Sequence, residues 1–335
     1  MREERHEVDN GEGWRLSLKV RSDPATLVPG RPPLLIVPGY GMNNFIFGYH
    51  PSGLSMEAFF VKEGFEVWSV NLRGQGDSRC VGGSRRYGFK ELALVDLPRV
   101  LEFIGSETRT GSSVVDGIGC SLGASFLYIY LAHHPEDHRL RAMVSMGGPL
   151  RWENVHPAVR ALFSSSRLVG AVPVRGTRKL ARMVIPIAKK LPALASIYMN
   201  TNLIDLSEAD QLVRTVDDPN RHLNREIARW IKTKDLIVDG VNVTHGMRRQ
   251  RLPTLCVVAN GDGIVPPAAA LSVVLAMGKD RVDVLEVGDR ENWFAHADLF
   301  ISRLASGLSS MFGERYLIVL WQSNAAAIRL AVAAR

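Results

Sequence analysis

Residues 113–124 read Ser-Val-Val-Asp-Gly-Ile-Gly-Cys-Ser-Leu-Gly-Ala, and the apolar run closes on Gly119-Cys120-Ser121-Leu122-Gly123 before a helical pattern begins. A serine at so tight a strand-to-helix turn is forced into a strained backbone conformation, with its side chain thrust out above the sheet. Glycines two before and two after it leave room for the neighbouring strand and helix. The helix that starts at Leu122 aims its free N–H groups and the positive end of its dipole at the same spot. Such a turn demands a buried strand before it and a packed helix after it, which restricts the chain to an α/β architecture.

The flanking sequence has that alternation. Residues 14–20 alternate apolar and polar, as an edge hairpin strand with one wet face would. Leu34–Val37, Phe65–Val70, Val114–Ile118 and Arg141–Met146 read as strands, with helical spacing over 54–63, 88–105 and 122–132 between them. Strand and helix in turn imply a parallel sheet with right-handed crossovers and helices on both faces. The alternation stops at Gly147-Gly148-Pro149. Residues 151–250 are helical in pattern and interrupted by prolines. After Pro253 the strands return at Thr254–Ala259 and Val282–Val287, with helices expected over 267–277 and 297–311. The expected organisation is one mostly parallel α/β core (1–150 and 251–312) interrupted by a helical cap insertion (151–250) and followed by a C-terminal helix or tail (313–335).

Composition narrows the class. With 335 residues, 46% hydrophobic and 22% charged, the chain reads as a soluble globular protein. Three scattered cysteines, Cys80, Cys120 and Cys256, argue against a disulfide framework or a C-x-x-C zinc site. No secretory h-region and no bilayer-length apolar run are visible, so a reducing cytoplasmic setting is the expectation. The net charge of +7 is concentrated: residues 151–250 hold 17 Lys and Arg against 9 Asp and Glu, and the remainder holds 24 against 25.

In an open parallel sheet, ligands bind beyond the carboxyl ends of the strands. The loop after 254–259, Asn260-Gly261-Asp262-Gly263-Ile264-Val265-Pro266, puts Asp262 there. The loop after 282–287 does the same for His296, the one histidine of nine that follows the last strand. As a bland alternative, Ser121 caps a helix, Asp262 is a turn residue and His296 a surface cap. His133, His134 and His138 read as a solvated helix end, Asp298 as charge complementing a helix N-terminus, and Cys120 as a buried spacer. Gly74-Gln75-Gly76 is too short for a dinucleotide loop.

Five motifs in order, Pro38-Gly39-Tyr40-Gly41, Asn71-Leu72-Arg73-Gly74-Gln75-Gly76-Asp77-Ser78, the Ser121 turn, Gly261–Pro266 and the His296 loop, resemble the α/β-hydrolase superfamily over roughly 14–150 and 250–311. Within it the capped serine esterases and lipases are nearest, with weaker similarity to polyhydroxyalkanoate synthases. Those use a Cys nucleophile, and Cys120 sits one position too early to replace Ser121.

The resemblance implies an α/β-hydrolase fold and cleavage of a carboxylic ester, with no cofactor and no metal. Ser121 would be the nucleophile, His296 the general base and Asp262 its orienter. The backbone N–H groups of Tyr40 and Leu122 would form the oxyanion hole. Pro38 stands where the family often has His, and Asn71 where it has Asp. Activity would fall at low pH, since the base must be neutral. An acyltransferase or a non-catalytic binding member are the alternatives, whereas dehalogenase and epoxide hydrolase chemistry would need a carboxylate at 121.

The expected partner is a largely apolar small-molecule acyl ester, and no nucleic acid. From Asn154 to Ile204 the chain has no Asp or Glu but carries Arg160, Arg167, Arg175, Arg178, Lys179, Arg182, Lys189 and Lys190 among Leu180, Met183 and other apolar residues. The expectation is a cap whose apolar face covers the site; peripheral contact with an anionic membrane is the alternative.

Overall fold

A computed structural model describes residues 1–50, 54–164, 176–188, 190, 195–204 and 209–302. The strands are β1 (Arg2–Asp9), β2 (Trp14–Ser22), β3 (Leu34–Val37), β4 (Val67–Asn71), β5 (Arg79–Cys80), β6 (Val115–Cys120), β7 (Leu140–Met146), the pair β8 (Ile237–Val238) and β9 (Val241–Asn242), β10 (Thr254–Ala259) and β11 (Val282–Val287). The nine-stranded sheet runs β1-β2-β4-β3-β6-β7-β10-β11, with β5 beside β2. β3, β4, β6, β7, β10 and β11 are parallel to their neighbours within that set. β1 and β2 run antiparallel. β3, β4, β6 and β10 are buried at every residue, as helices covering both faces of a parallel sheet require.

The main helices are α1 (Met56–Lys62), α2 (Leu97–Glu107), α3 (Leu122–His133), α4 (Pro157–Leu162), α5 (Thr177–Ala188), α6 (Arg221–Thr233), α7 (Val243–Met247), α8 (Ser272–Met277) and α9 (Asp298–Ile301). Leu97, Leu127, Ile227, Met247 and Val273 pack on one face of the sheet, and Phe60, Leu299 and Phe300 on the other. α3 is apolar on all sides and buried from Leu122 to Ala132, so it is the central helix of its layer. α7 packs on α3, where a Cβ on Gly246 would come within 2.5 Å of Ala132. Of the helix expected over 297–311, Asp298–Ile301 is described; 313–335 lies outside the described residues.

The edge of the sheet differs from expectation. β2 is the second strand in, and its polar face is closed: Lys19 Nζ lies 2.9 Å from Glu57 Oε1 and Arg21 3.1 Å from Glu57 Oε2. The edge belongs to β1, whose Glu3 and Asp9 pair across the ladder with Arg21 and Arg15. Exposed charges suit an edge strand, because they resist further strand addition.

Candidate active site

The four loops at the carboxyl ends of β3, β6, β10 and β11 meet at one place. At the end of β6, Ser121 has φ 53° and ψ −126°, a region a side chain rarely enters. Its N–H donates to Met146 O at 2.8 Å, and its C=O accepts from Ala124 N at 3.0 Å. The glycine frame is required by contact. A Cβ on Gly119 would stand 2.3 Å from Ala124 Cα, and one on Gly123 2.2 Å from Val37 O. Gly39 is pressed against the same turn, since its Cβ would lie 2.6 Å from Cys120 O and 2.7 Å from Ser121 Cβ. Cys120 points into the sheet, fully buried, and burial pushes its thiol far above the ordinary range. It is a spacer, as its place one residue before the turn suggested.

The structure brings Ser121, Asp262 and His296 together. His296 Nε2 lies 2.9 Å from Ser121 Oγ, and His296 Nδ1 lies 2.6 Å from Asp262 Oδ2. All three residues are buried, at 7%, 5% and 6% exposure, so these bonds face little competition from water. The other carboxylate oxygen, Asp262 Oδ1, accepts from Ile264 N (2.9 Å) and Val265 N (2.8 Å), which leaves Oδ2 turned to the imidazole. With Asp262 accepting at Nδ1, the Nδ1–H tautomer leaves the Nε2 lone pair facing the serine hydroxyl. The two loops are also joined directly. Gly261 N donates to Phe294 O (2.8 Å), and Phe294 N to Asn260 Oδ1 (2.9 Å).

Tyr40 and Leu122 line the cavity in front of Ser121, and no described residue accepts a hydrogen bond from either backbone N–H. The Tyr40 hydroxyl donates to Asn224 Oδ1 on α6 at 2.6 Å; burial raises that phenol well above its ordinary value, so it stays a donor. The cavity measures about 290 Å³. Besides Ser121 and His296 its walls are mainly apolar, with Trp152, Val159, Phe163, Ile227 and Ile231 contributed by residues 151–250.

Several residues depart from their sequence reading. Asp298 stands in the first turn of α9, where a charge complementing a helix N-terminus would be, but away from solvent. It is fully buried, accepts from Ala295 N (2.7 Å) and Asn200 N (2.9 Å), and burial pushes its carboxyl up to about 7. Leu180 and Met183 do not cover the site, being 60% and 71% exposed on α5. Asn71, in place of the family's Asp, is structural: Asn44 N donates to its Oδ1 at 2.8 Å. His133 is not simply solvated, since its ring nitrogens sit 2.8 Å from Ile129 O and 3.0 Å from Val238 O. Among the described residues no His, Cys, Asp and Glu cluster is arranged to hold a metal ion.

Residues 32–274 match the family described as alpha/beta hydrolase fold. The chain belongs to this family. Solved structures similar to it include a provisionally assigned lipase from Acinetobacter baumannii AYE (14% identity, 96% of this chain and 93% of that one, TM-score 0.65). A carboxylesterase of Nitrososphaera gargenis has 15% identity over 94% and 98% of the two chains, with a TM-score of 0.63. An enol-lactonase from Burkholderia xenovorans LB400 has 13% identity over 93% and 98%, with a TM-score of 0.60. At such identities the likeness is one of fold. No curated protein matches the chain. No helix of the described residues is long and apolar enough to cross a membrane.

Proposed function

We propose that the protein is a serine hydrolase that cleaves carboxylic esters of esterase or lipase type through an acyl-enzyme. Ser121 Oγ attacks the acyl carbonyl while its proton passes to His296 Nε2. The tetrahedral oxyanion is held by the N–H groups of Leu122 and Tyr40. Collapse expels the alcohol, which takes the proton back from His296. Water then attacks the acyl-enzyme by the same route and releases the acid. Asp262 holds the imidazole in the reactive tautomer and stabilises the imidazolium. The observation that carries the reading is the unbroken chain Asp262 Oδ2, His296, Ser121 Oγ at 2.6 and 2.9 Å inside an apolar cavity. The neighbours named as lipase, carboxylesterase and lactonase support the substrate class.

Residues 151–250 serve in this reading as the cap that shapes the acyl pocket, on a core formed by 1–150 and 251–312. The exposed Leu180 and Met183, with Lys179 beside them on α5, fit peripheral contact with an anionic membrane. The deciding experiment is labelling with a fluorophosphonate probe. The wild type is expected to label and Ser121→Ala not to; an unlabelled wild type would sink the reading. A nitrophenyl ester series then reads acyl preference, and an unchanged preference after exchange of the cap would refute the pocket assignment.

A further inference from the structure

The oxyanion seat needs the N–H of Tyr40 turned towards Ser121, and the peptide that carries it is intrinsically free to turn either way. Gly39, at one end of that peptide, must be glycine because the Ser121 turn leaves no room for a Cβ. Glycine is also the residue whose backbone rotates most cheaply. Packing therefore demands at this position the residue least able to hold its own peptide plane. Something outside the loop has to do so.

Gln75 makes the contact that can. It sits in the turn after β4, with its own N–H donating to Leu72 O at 3.0 Å. Leu72 N–H in turn donates to Gln75 Oε1 at 2.9 Å. That bond settles which end of the side-chain amide is which, since a backbone donor must meet the carbonyl oxygen. The opposite end, Nε2, is then a donor, and it lies 3.0 Å from Gly39 O. The described residues contain no cis peptide bond, and in a trans peptide the C=O and the following N–H point in opposite directions. Anchoring Gly39 O on Gln75 turns Tyr40 N–H away from Gln75, into the cavity lined by Ser121 and Leu122. Gln75 is not among the residues that line that cavity. A donor on the carbonyl also polarises the peptide and strengthens its N–H.

We propose that Gln75 is the positioning residue of the oxyanion site, holding the Gly39–Tyr40 peptide with its N–H facing Ser121. This rests on the serine-hydrolase reading. Without Gln75 the Gly39 carbonyl loses its partner, and a flipped peptide would set that oxygen, not an N–H, against the developing negative charge.

Gln75→Glu keeps the shape and the acceptor for Leu72 N but presents no donor to Gly39 O when ionised. Gln75→Met, neutral and of similar length, serves as the second variant should a buried carboxylate prevent folding. Both are compared with wild type on a nitrophenyl ester, with rates normalised to the Ser121 that labels with fluorophosphonate. Removing one oxyanion donor typically costs 10²–10³ in kcat, so a fall on the order of 100-fold is expected, with KM within about twofold. Affinity for a trifluoromethyl ketone, to whose carbonyl carbon Ser121 Oγ adds to give a tetrahedral oxyanion, should weaken by a similar factor. A merely structural role would lower the melting temperature and leave those normalised constants unmoved. A folded Gln75→Met with wild-type kcat, or one whose loss lies in KM with ketone affinity intact, overturns the proposal while the hydrolase reading stands. A wild type that neither labels nor turns over the ester overturns both.

Discussion

Asp298 should make the stability of this protein fall as pH rises through neutrality. Its carboxyl is fully buried, two residues along the chain from His296. Loss of hydration is the largest influence and pushes it from 3.8 to about 7, against the N–H groups of Ala295 and Asn200, which favour the charged form. The nearby carboxylate of Asp262 adds to the rise. In the unfolded chain the group ionises near its ordinary value. Between the two values the folded state holds a proton that the unfolded state has lost, so stability declines with pH across that window. At about 1.4 kcal/mol per pKa unit, the whole shift amounts to about 4 kcal/mol, present below pH 4 and gone above pH 8. Integrating the two titrations from pH 5 to pH 8 gives a loss of about 2.6 kcal/mol over that interval.

Urea unfolding at pH 5 and pH 8, with wild type beside Asp298→Asn, isolates this group from all others that titrate. The asparagine keeps an oxygen for Ala295 N and Asn200 N but carries no charge at either pH. Stability of the wild type relative to the variant should drop by about 2.6 kcal/mol from pH 5 to pH 8, with no change in the slope of the denaturant dependence. A difference that is the same at both pH values, or that grows in favour of the wild type at pH 8, would refute the reasoning.

Asp262→Asn should lower kcat by roughly 10⁴-fold, because an amide N–H₂ facing Nδ1 forces the tautomer whose Nε2–H cannot accept the serine proton. Its melting temperature should change little, since the amide oxygen can still accept from Ile264 and Val265; calorimetry and steady-state kinetics read the two. Gly123→Ala drives a Cβ to 2.2 Å from Val37 O, backbone against backbone, and is expected to cost about 3 kcal/mol or more by urea unfolding. Arg73→Met strips the partner from Asp96, which is 0% exposed and receives Arg73 Nη2 at 2.7 Å, so a loss of about 3–5 kcal/mol is expected. An additional Asp96→Asn change should restore much of that loss, because it removes the stranded charge and keeps an oxygen to accept from Arg73 N.

What could be read from sequence was whatever local chemistry marks. Ser121 is announced by glycines that the turn cannot do without, and Asp262 by a Gly-Asp-Gly turn whose N–H groups orient it. His296 is announced by its place after the last strand. Each lies on the loop that leaves the carboxyl end of a strand, and a parallel sheet gathers those ends by topology. β1 was missed because its charges carry no apolar alternation; its partner strand supplies the order. Asp298 and Gln75 were missed for a different reason. Asp298 meets Asn200 98 residues away and Gln75 meets Gly39 36 residues away, contacts no local pattern encodes. On α5 the helical spacing places Leu180 and Met183 on one face but does not encode what lies opposite it, and both side chains are exposed.

Those long-range contacts have a consequence for access to the cavity. Ile197 O accepts from Gly263 N (3.2 Å), next to Asp262, and Tyr198 O accepts from Ala297 N (2.8 Å), next to His296. Asn200 donates from its backbone to Asp298 (2.9 Å) and from its side chain to Trp293 O (3.0 Å). Gly263 has no room for a Cβ, which would lie 2.8 Å from Ile197 O, so this stretch is packed as well as bonded. Residues 197–200 are thus built into the same network that positions Asp262 and His296. Swinging them aside would break four hydrogen bonds around the two side chains whose geometry the proposed chemistry needs. Leu162, on the short helix α4, also lines the cavity and is 68% exposed. Moving the Leu162 side chain breaks none of these four bonds, so a substrate that displaces it leaves Asp262 and His296 in place.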